Sequence, residues 1–142
     1  MARLSNQQRK ELRALQRRLP LCSWEYRGEE RFILEYIAFE AQARKLWHYY
    51  RCRRKLVAES ESPLPLQEIK KAMEHFDMQV RDGILELLLD SKLTKRGEKS
   101  ARQLRNGMVH RWLKEDCREA AERCVKFSSL FDNFKESVEA VL

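Results

Sequence analysis

Three histidines, four cysteines and a surplus of arginine are what this 142-residue chain offers for chemistry. Two of the histidines stand without helpers. His48 and His75 have no cysteine or carboxylate at metal-ligand spacing, and Glu74, His75 and Asp77 are too local to form a site alone. No glycine-rich phosphate loop, G-x-S-x-G elbow or Cys–His pairing is legible, so neither a metal nor a cofactor is expected. The third histidine closes the segment Arg105-Asn106-Gly107-Met108-Val109-His110. A histidine moves protons near neutral pH, an arginine holds a dianionic transition state, and amides at a helix N-terminus attract phosphate. Together these parts suit a phosphodiester.

The geometry of that segment needs help. On an unbroken α-helix, five steps of about 100° set Arg105 and His110 roughly 140° apart. Asn106-Gly107 offers a remedy, because the pair is a local breaker and Asn is a good N-cap. A helix starting just after Asn106 would hold His110 in its first turn or so and let Arg105 fold back across it. The spacing by itself decides little: with 18 Arg and 3 His, chance supplies roughly 0.4 such pairs. Requiring Asn directly after the Arg lowers this to roughly 0.01. Arg102, Arg111 and Lys114 flank the motif, as phosphate contacts or as ordinary exposed charges. Trp112 could stack on a base, but its spacing fits a core aromatic.

The elements that must position this segment read as helices. Ser5 can cap a first helix to about Leu19, where Pro20 stops it, with Leu12, Leu15 and Leu19 on one face. Its other side is crowded by Arg9, Lys10, Arg13, Arg17 and Arg18, a face for nucleic acid, for an acidic partner or for solvent. After a loop at 21–28, the longest periodic segment runs from about Glu29 to Val57, a bundle spine with Phe32, Ile33, Tyr36, Ile37, Phe39, Leu46, Trp47 and Tyr50 in its stripe. Glu59–Pro65 is a loop, and Leu66–Phe76 a short helix. Asp77 can cap the next, with Val80, Ile84, Leu87 and Leu88 inward. Ser91–Lys95 breaks the chain, and a polar helix follows to Leu104. Helices are then expected over Met108–Val125 and Phe127–Leu142. The expected fold is all-α, an up-and-down bundle of four to six helices in one domain over residues 1–142.

Composition sets the class. A chain of this length buries enough surface to need no disulfide or metal staple. No apolar run of about 18 or more residues exists to span a membrane. The N-terminus carries no apolar leader, and no C-x-x-C pair is present among Cys22, Cys52, Cys117 and Cys124, so reduced thiols in a cytoplasm are expected. Cys117 and Cys124, seven apart, suit one helix face and core packing. The net charge of +7 is unevenly placed. Residues 1–58 hold 14 Lys and Arg against 6 Asp and Glu, whereas residues 59–142 hold 15 against 16. The basic half either attracts phosphate backbones or keeps the surface solvated.

Arg105-Asn106-x-x-x-His110 resembles the signature of HEPN domains: an Arg, a following polar residue, and a His with four to six residues between it and the Arg. The stretch RFILEYIAFEAQARKLW, residues 31–47, is similar to the long early helix of that family, with Glu40 following the apolar Phe39. The resemblance spans about residues 25–140. It implies a metal-independent endoribonuclease, a homodimer whose two motifs share a cleft, in which a 2′-OH attacks the adjacent phosphate. His110 would transfer the proton, Arg105 would stabilise the phosphorane, and Asn106 would orient either side chain or cap the helix. Glu40 would restrain Arg105 by an ion pair, or be an ordinary surface carboxylate. A toxin or defence role, with a neutralising antitoxin as partner, comes with the resemblance. Trp112 departs from those toxin members that carry a modifiable Tyr two residues after the His. Two other readings stay open: a catalytically silent helical module binding nucleic acid, nucleotide or protein, and a bundle that only dimerises.

Overall fold

A computed structural model of the chain describes residues 4–17, 27–53, 63–79, 83–92 and 97–142. Among them are six α-helices, one π-helical turn and no strand. The helices are α1 (Asn6–Arg17), α2 (Gly28–Arg53), α3 (Leu66–His75), α4 (Ile84–Leu89), α5 (Ala101–Asn106) and α6 (Lys114–Glu139), and the π-turn (Gly107–Arg111) joins α5 to the α6 side. The expected all-α bundle is therefore the fold. The stop at Leu19–Pro20, Cys22, the continuation of α2 to Val57, most of the 59–65 loop and Val80 lie outside the described residues.

Aromatic side chains at helical spacing build the core. Phe32, Tyr36 and Phe39 of α2 are buried against Phe127, Phe131 and Phe134 of α6. Ring centroids lie 5.2 Å apart for Phe32–Phe127 and Phe39–Phe131, and 5.0 Å apart for the edge-on pair Phe39–Phe134. These separations are within the favourable range for aromatic pairs. The numbers rise together along both helices, so α2 and α6 run parallel. Gly28 is where their backbones come closest: a Cβ there would stand 2.9 Å from the Ala121 Cα. α5 runs the other way along α2, with Arg102 and Arg105 near Tyr36 and, one turn further on, Met108 and Trp112 beside Ile33 and Leu34.

Polar ties fasten the smaller helices to this pair. Ser5 caps α1 as expected, in a reciprocal box with Gln8: Gln8 N–H donates to Ser5 Oγ (3.2 Å) and Ser5 N–H to Gln8 Oε1 (2.9 Å). Glu11 joins α1 to α2, pairing with Lys45 Nζ at 3.0 Å and accepting from the Tyr49 hydroxyl. These partners hold its carboxyl well down, at about 2 against an ordinary 4.5, with the Tyr49 hydrogen bond the largest cause. Trp47 Nε1 donates to Glu68 Oε2 of α3 (2.7 Å). Inside the core, the Ser128 hydroxyl donates to Glu35, whose carboxylate also pairs with Arg31 at 3.2 Å.

Several boundaries differ from the sequence expectation, and the polar helix expected from about Lys95 begins only at Ala101. Asp77 ends α3 instead of starting α4. It adopts φ 58°, its N–H reaches Glu74 O (3.0 Å), and the N–H of Met78 reaches Met73 O (2.8 Å). That is a Schellman ending, with Asp in the left-handed slot that glycine usually fills. α4 instead begins after Gly83, itself at φ 84°. From Lys114 onward the two helices expected over 108–125 and 127–142 are one helix, α6 (Lys114–Glu139), which runs unbroken through Val125 and Phe127.

Phe131→Ala is expected to lower stability by about 3–5 kcal/mol, read from urea unfolding. Acid provides a second test. The depressed Glu11 pKa gives stability that is complete above about 4.5 and drains as pH falls toward about 2. The urea midpoint of the wild type should therefore fall more steeply across that window than that of Glu11→Gln.

Candidate functional site

The motif is held from its N-terminal side first. Ser100, fully buried, caps α5 in a capping box with Gln103. The Ser100 hydroxyl also donates to Asp90 O (2.5 Å), and Gln103 Nε2 to Ser91 O (3.2 Å), so the end of α4 anchors the start of α5. From the other side α6 grips the same segment. Lys99 Nζ meets Asp116 Oδ1 at 2.6 Å, and Arg123 donates to the Lys99 carbonyl (2.8 Å).

The expected break at Asn106-Gly107 is not there. Both residues keep right-handed helical dihedrals, and Asn106 caps nothing with its side chain. The chain instead widens into a π-turn, with the N–H groups of Trp112 and Leu113 both reaching the Gly107 carbonyl. The true stop is Trp112, at φ 49° and ψ 47°, after which Leu113 starts α6. A turn closed by i→i+5 bonds brings positions five apart nearer to one face than an α-helix does. Gly107 makes the widening possible. Asp116, in the first turn of α6 and only 2% exposed, packs its carboxylate on Gly107 so closely that any Cβ would overlap Oδ2.

The side chains of Arg105 and His110 nevertheless face different surroundings. His110 is exposed and lines an open cavity of about 590 Å³ with Lys99, Gln103, Asn106, Arg111 and Asp116. Arg105 is half-buried and is not part of that lining; it turns toward α2. There the buried Tyr36 hydroxyl is pushed up to about 12, first by burial and then by the Glu40 carboxylate, while Arg102 and Arg105 oppose the rise. Asn106 is the link between the two: Arg105 Nη1 donates to Asn106 Oδ1 at 3.0 Å, and Asn106 lines the His110 cavity. Arg105 Nε is sealed from solvent without a hydrogen-bond partner among the described residues.

The remaining sequence candidates divide. Arg111 lines the cavity and is exposed, and Lys114 is exposed at the first position of α6. Arg102 is turned inward, donating to the Leu64 carbonyl, and does not join them. Glu40 pairs with Arg44 (3.3 Å), and no ion pair between it and Arg105 is present among the described residues. Trp112 is not a core aromatic: it is 69% exposed, because its left-handed backbone turns the side chain off the helix register that predicted burial. Asp116 and Lys99 were missed. A helix placed over 108–125 puts position 116 in mid-helix, and only the later start of α6 gives Asp116 a buried first-turn position. Cys124 is buried in the core as expected, and burial raises the Cys117 thiol. Among the described residues no cluster of His, Cys, Asp and Glu could hold a metal ion.

An apolar surface adjoins the motif. Leu34 and Ile37 (54% exposed) on α2 and Val109 (52%) and Trp112 at the motif are exposed large apolar side chains. Trp112 and Met108 wall a groove of about 310 Å³ with Ile33 and Leu34. No helix among the described residues is long and apolar enough to cross a membrane. In comparisons with known proteins, no family model, no curated protein and no solved structure matches this chain.

Gly107→Ala should destabilise the protein by about 1–3 kcal/mol, the usual cost of overpacking. Asp116→Ala in the same chain should return part of that loss, giving a non-zero coupling energy in a double-mutant cycle read by urea unfolding.

Proposed function

We propose that this chain is a metal-independent endoribonuclease of HEPN type, acting as a homodimer. The observation that carries the proposal is the Arg105-Asn106-x-x-x-His110 segment, which runs from the end of α5 into the π-turn, with His110 and Arg111 exposed over one open cavity and Asn106 coupling that cavity to Arg105. In this reading the substrate's 2′-oxygen forms a bond to phosphorus while the bond from phosphorus to the 5′-oxygen breaks. His110 of one subunit accepts the 2′-OH proton, and the same residue of the second subunit protonates the departing 5′-oxygen. Arg105 stabilises the phosphorane, with Asn106 fixing its guanidinium. Arg111 and Lys114 hold neighbouring phosphates. The products are a 2′,3′-cyclic phosphate and a 5′-OH.

The exposed apolar surface supports the dimer. Leu34 and Trp112, both exposed, share a groove beside the motif, and exposed apolar surface of this kind marks association sites. Covering them with a second copy brings the two motifs close together. A toxin or defence role, a neutralising antitoxin and a cytoplasmic setting belong to the same reading through the family resemblance. The second reading, a silent binding module, draws on Arg105 facing Tyr36 instead of the His110 cavity.

The deciding experiment incubates RNA with the protein in the presence of a chelator. Wild type should cleave and leave cyclic phosphate ends, and His110→Ala should lose about 10²–10⁴-fold in rate, the usual worth of a general acid or base. Equal cleavage by the two would sink the proposal, and RNA binding without cleavage would favour the silent module. Trp112→Glu should convert the dimer to monomer in sedimentation and lower cleavage with it.

A further inference from the structure

The exposed face of α1 is built unlike the surface around the motif. Arg9, Lys10, Arg13 and Arg17 line a groove of about 460 Å³ with Asn6 and Ala14. Arg9, Arg13 and Arg17 follow one another every four residues, a row with about 6 Å between members. Lys10, Arg13 and Arg17 are exposed, and none of the four enters an ion pair among the described residues. The helix's own acid does not offset them, since Glu11 is engaged by Lys45 and Tyr49.

We infer that this face of α1 is a docking track for the phosphate backbone of single-stranded RNA, separate from the site around His110. Three features select that occupant. The charges are of one sign and regularly spaced, as a polyanion requires. Three of the four are arginines, whose planar fork suits phosphate oxygens. No large apolar side chain on α1 is exposed, so the face lacks the buried anchors on which protein–protein interfaces depend. α1 is tied to α2 at Lys45 and Tyr49, whereas the motif packs beside Ile33 and Leu34. The two places are thus about 20 Å apart along the α2 axis. An RNA of several nucleotides is needed to touch both. The track therefore contributes affinity for long substrates and nothing to the chemical step. This inference rests on RNA being the ligand, the binding half of the proposed function.

The test uses Lys10→Gln/Arg13→Gln/Arg17→Gln in the full chain, with glutamine chosen to keep helix propensity. Binding of a labelled, unstructured twenty-nucleotide RNA is measured across a salt series in an His110→Ala background, which prevents cleavage. Removing three phosphate contacts should weaken binding and flatten the log–log salt slope by about 2. In the otherwise wild-type chain, the triple variant should raise KM severalfold for the long RNA, leave kcat unchanged, and cleave a trinucleotide at the wild-type rate. An unchanged slope and affinity would overturn the inference. So would RNA binding that is unchanged while binding to polyglutamate is lost, which assigns the face to an acidic protein. If His110→Ala cleaves like wild type yet the triple variant loses the salt slope, the catalytic reading falls and the track stands.

Discussion

The parallel packing of α2 on α6 is the constraint on which the remaining structure depends. Phe32 and Phe39 meet Phe127, Phe131 and Phe134 along about two turns, and the approach is close enough at Gly28 that a side chain would not fit. Aromatic rings of this size supply much of the apolar area a small bundle can bury. Once the two helices lie side by side, everything else is placed relative to them. α1 and α3 attach to the second half of α2, and α5 runs back along its first half. The motif arrives beside the first turns of α2, with Leu104 and Met108 both buried in the core.

A second layer of control is electrostatic. Asp116 takes its place at the N-terminal turn of α6, where a negative charge is favoured by the helix dipole. Its burial is offset by Lys99, and it rests on the one residue of the motif without a side chain. One carboxylate thus fixes the end of α5, the start of α6 and the π-turn between them. Widened turns of this kind recur at functional sites because they re-aim side chains without ending the helix. Here the result is an exposed His110 and Arg111 next to a strained, exposed Trp112.

Charge and apolar exposure are segregated along the spine. The exposed Leu34 and Trp112 sit by the first turns of α2, and the cations of α1, without ion pairs among the described residues, sit by its second half. In the proposed ribonuclease the first surface assembles the catalytic cleft and the second captures the substrate strand. The two can be altered independently, because no contact among the described residues joins them except through the packed body of α2.

Much of this was legible in residue order. The all-α class, the Ser5 cap, the long α2 stripe, the short α3 and the core role of Cys124 follow from periodicity and capping, which act locally. So does the singling out of Arg105, Asn106 and His110, since rare combinations of side chains are visible without coordinates. What tertiary structure decided lies at the junctions. Asn106-Gly107 reads as a break by local propensity, yet packing against Asp116 keeps it helical and widens it into a π-turn. Asp77 reads as a start and serves as an end, because the left-handed turn at that point is fixed by carbonyls of the preceding helix. Trp112 reads as core and stands in solvent, since the stop at its own backbone shifts its direction. Propensity is worth tenths of a kcal/mol per residue, whereas one buried carboxylate with its partner outweighs several such terms. For that reason the sequence by itself determined which side chains could do chemistry, and only the packed structure decided where each of them points.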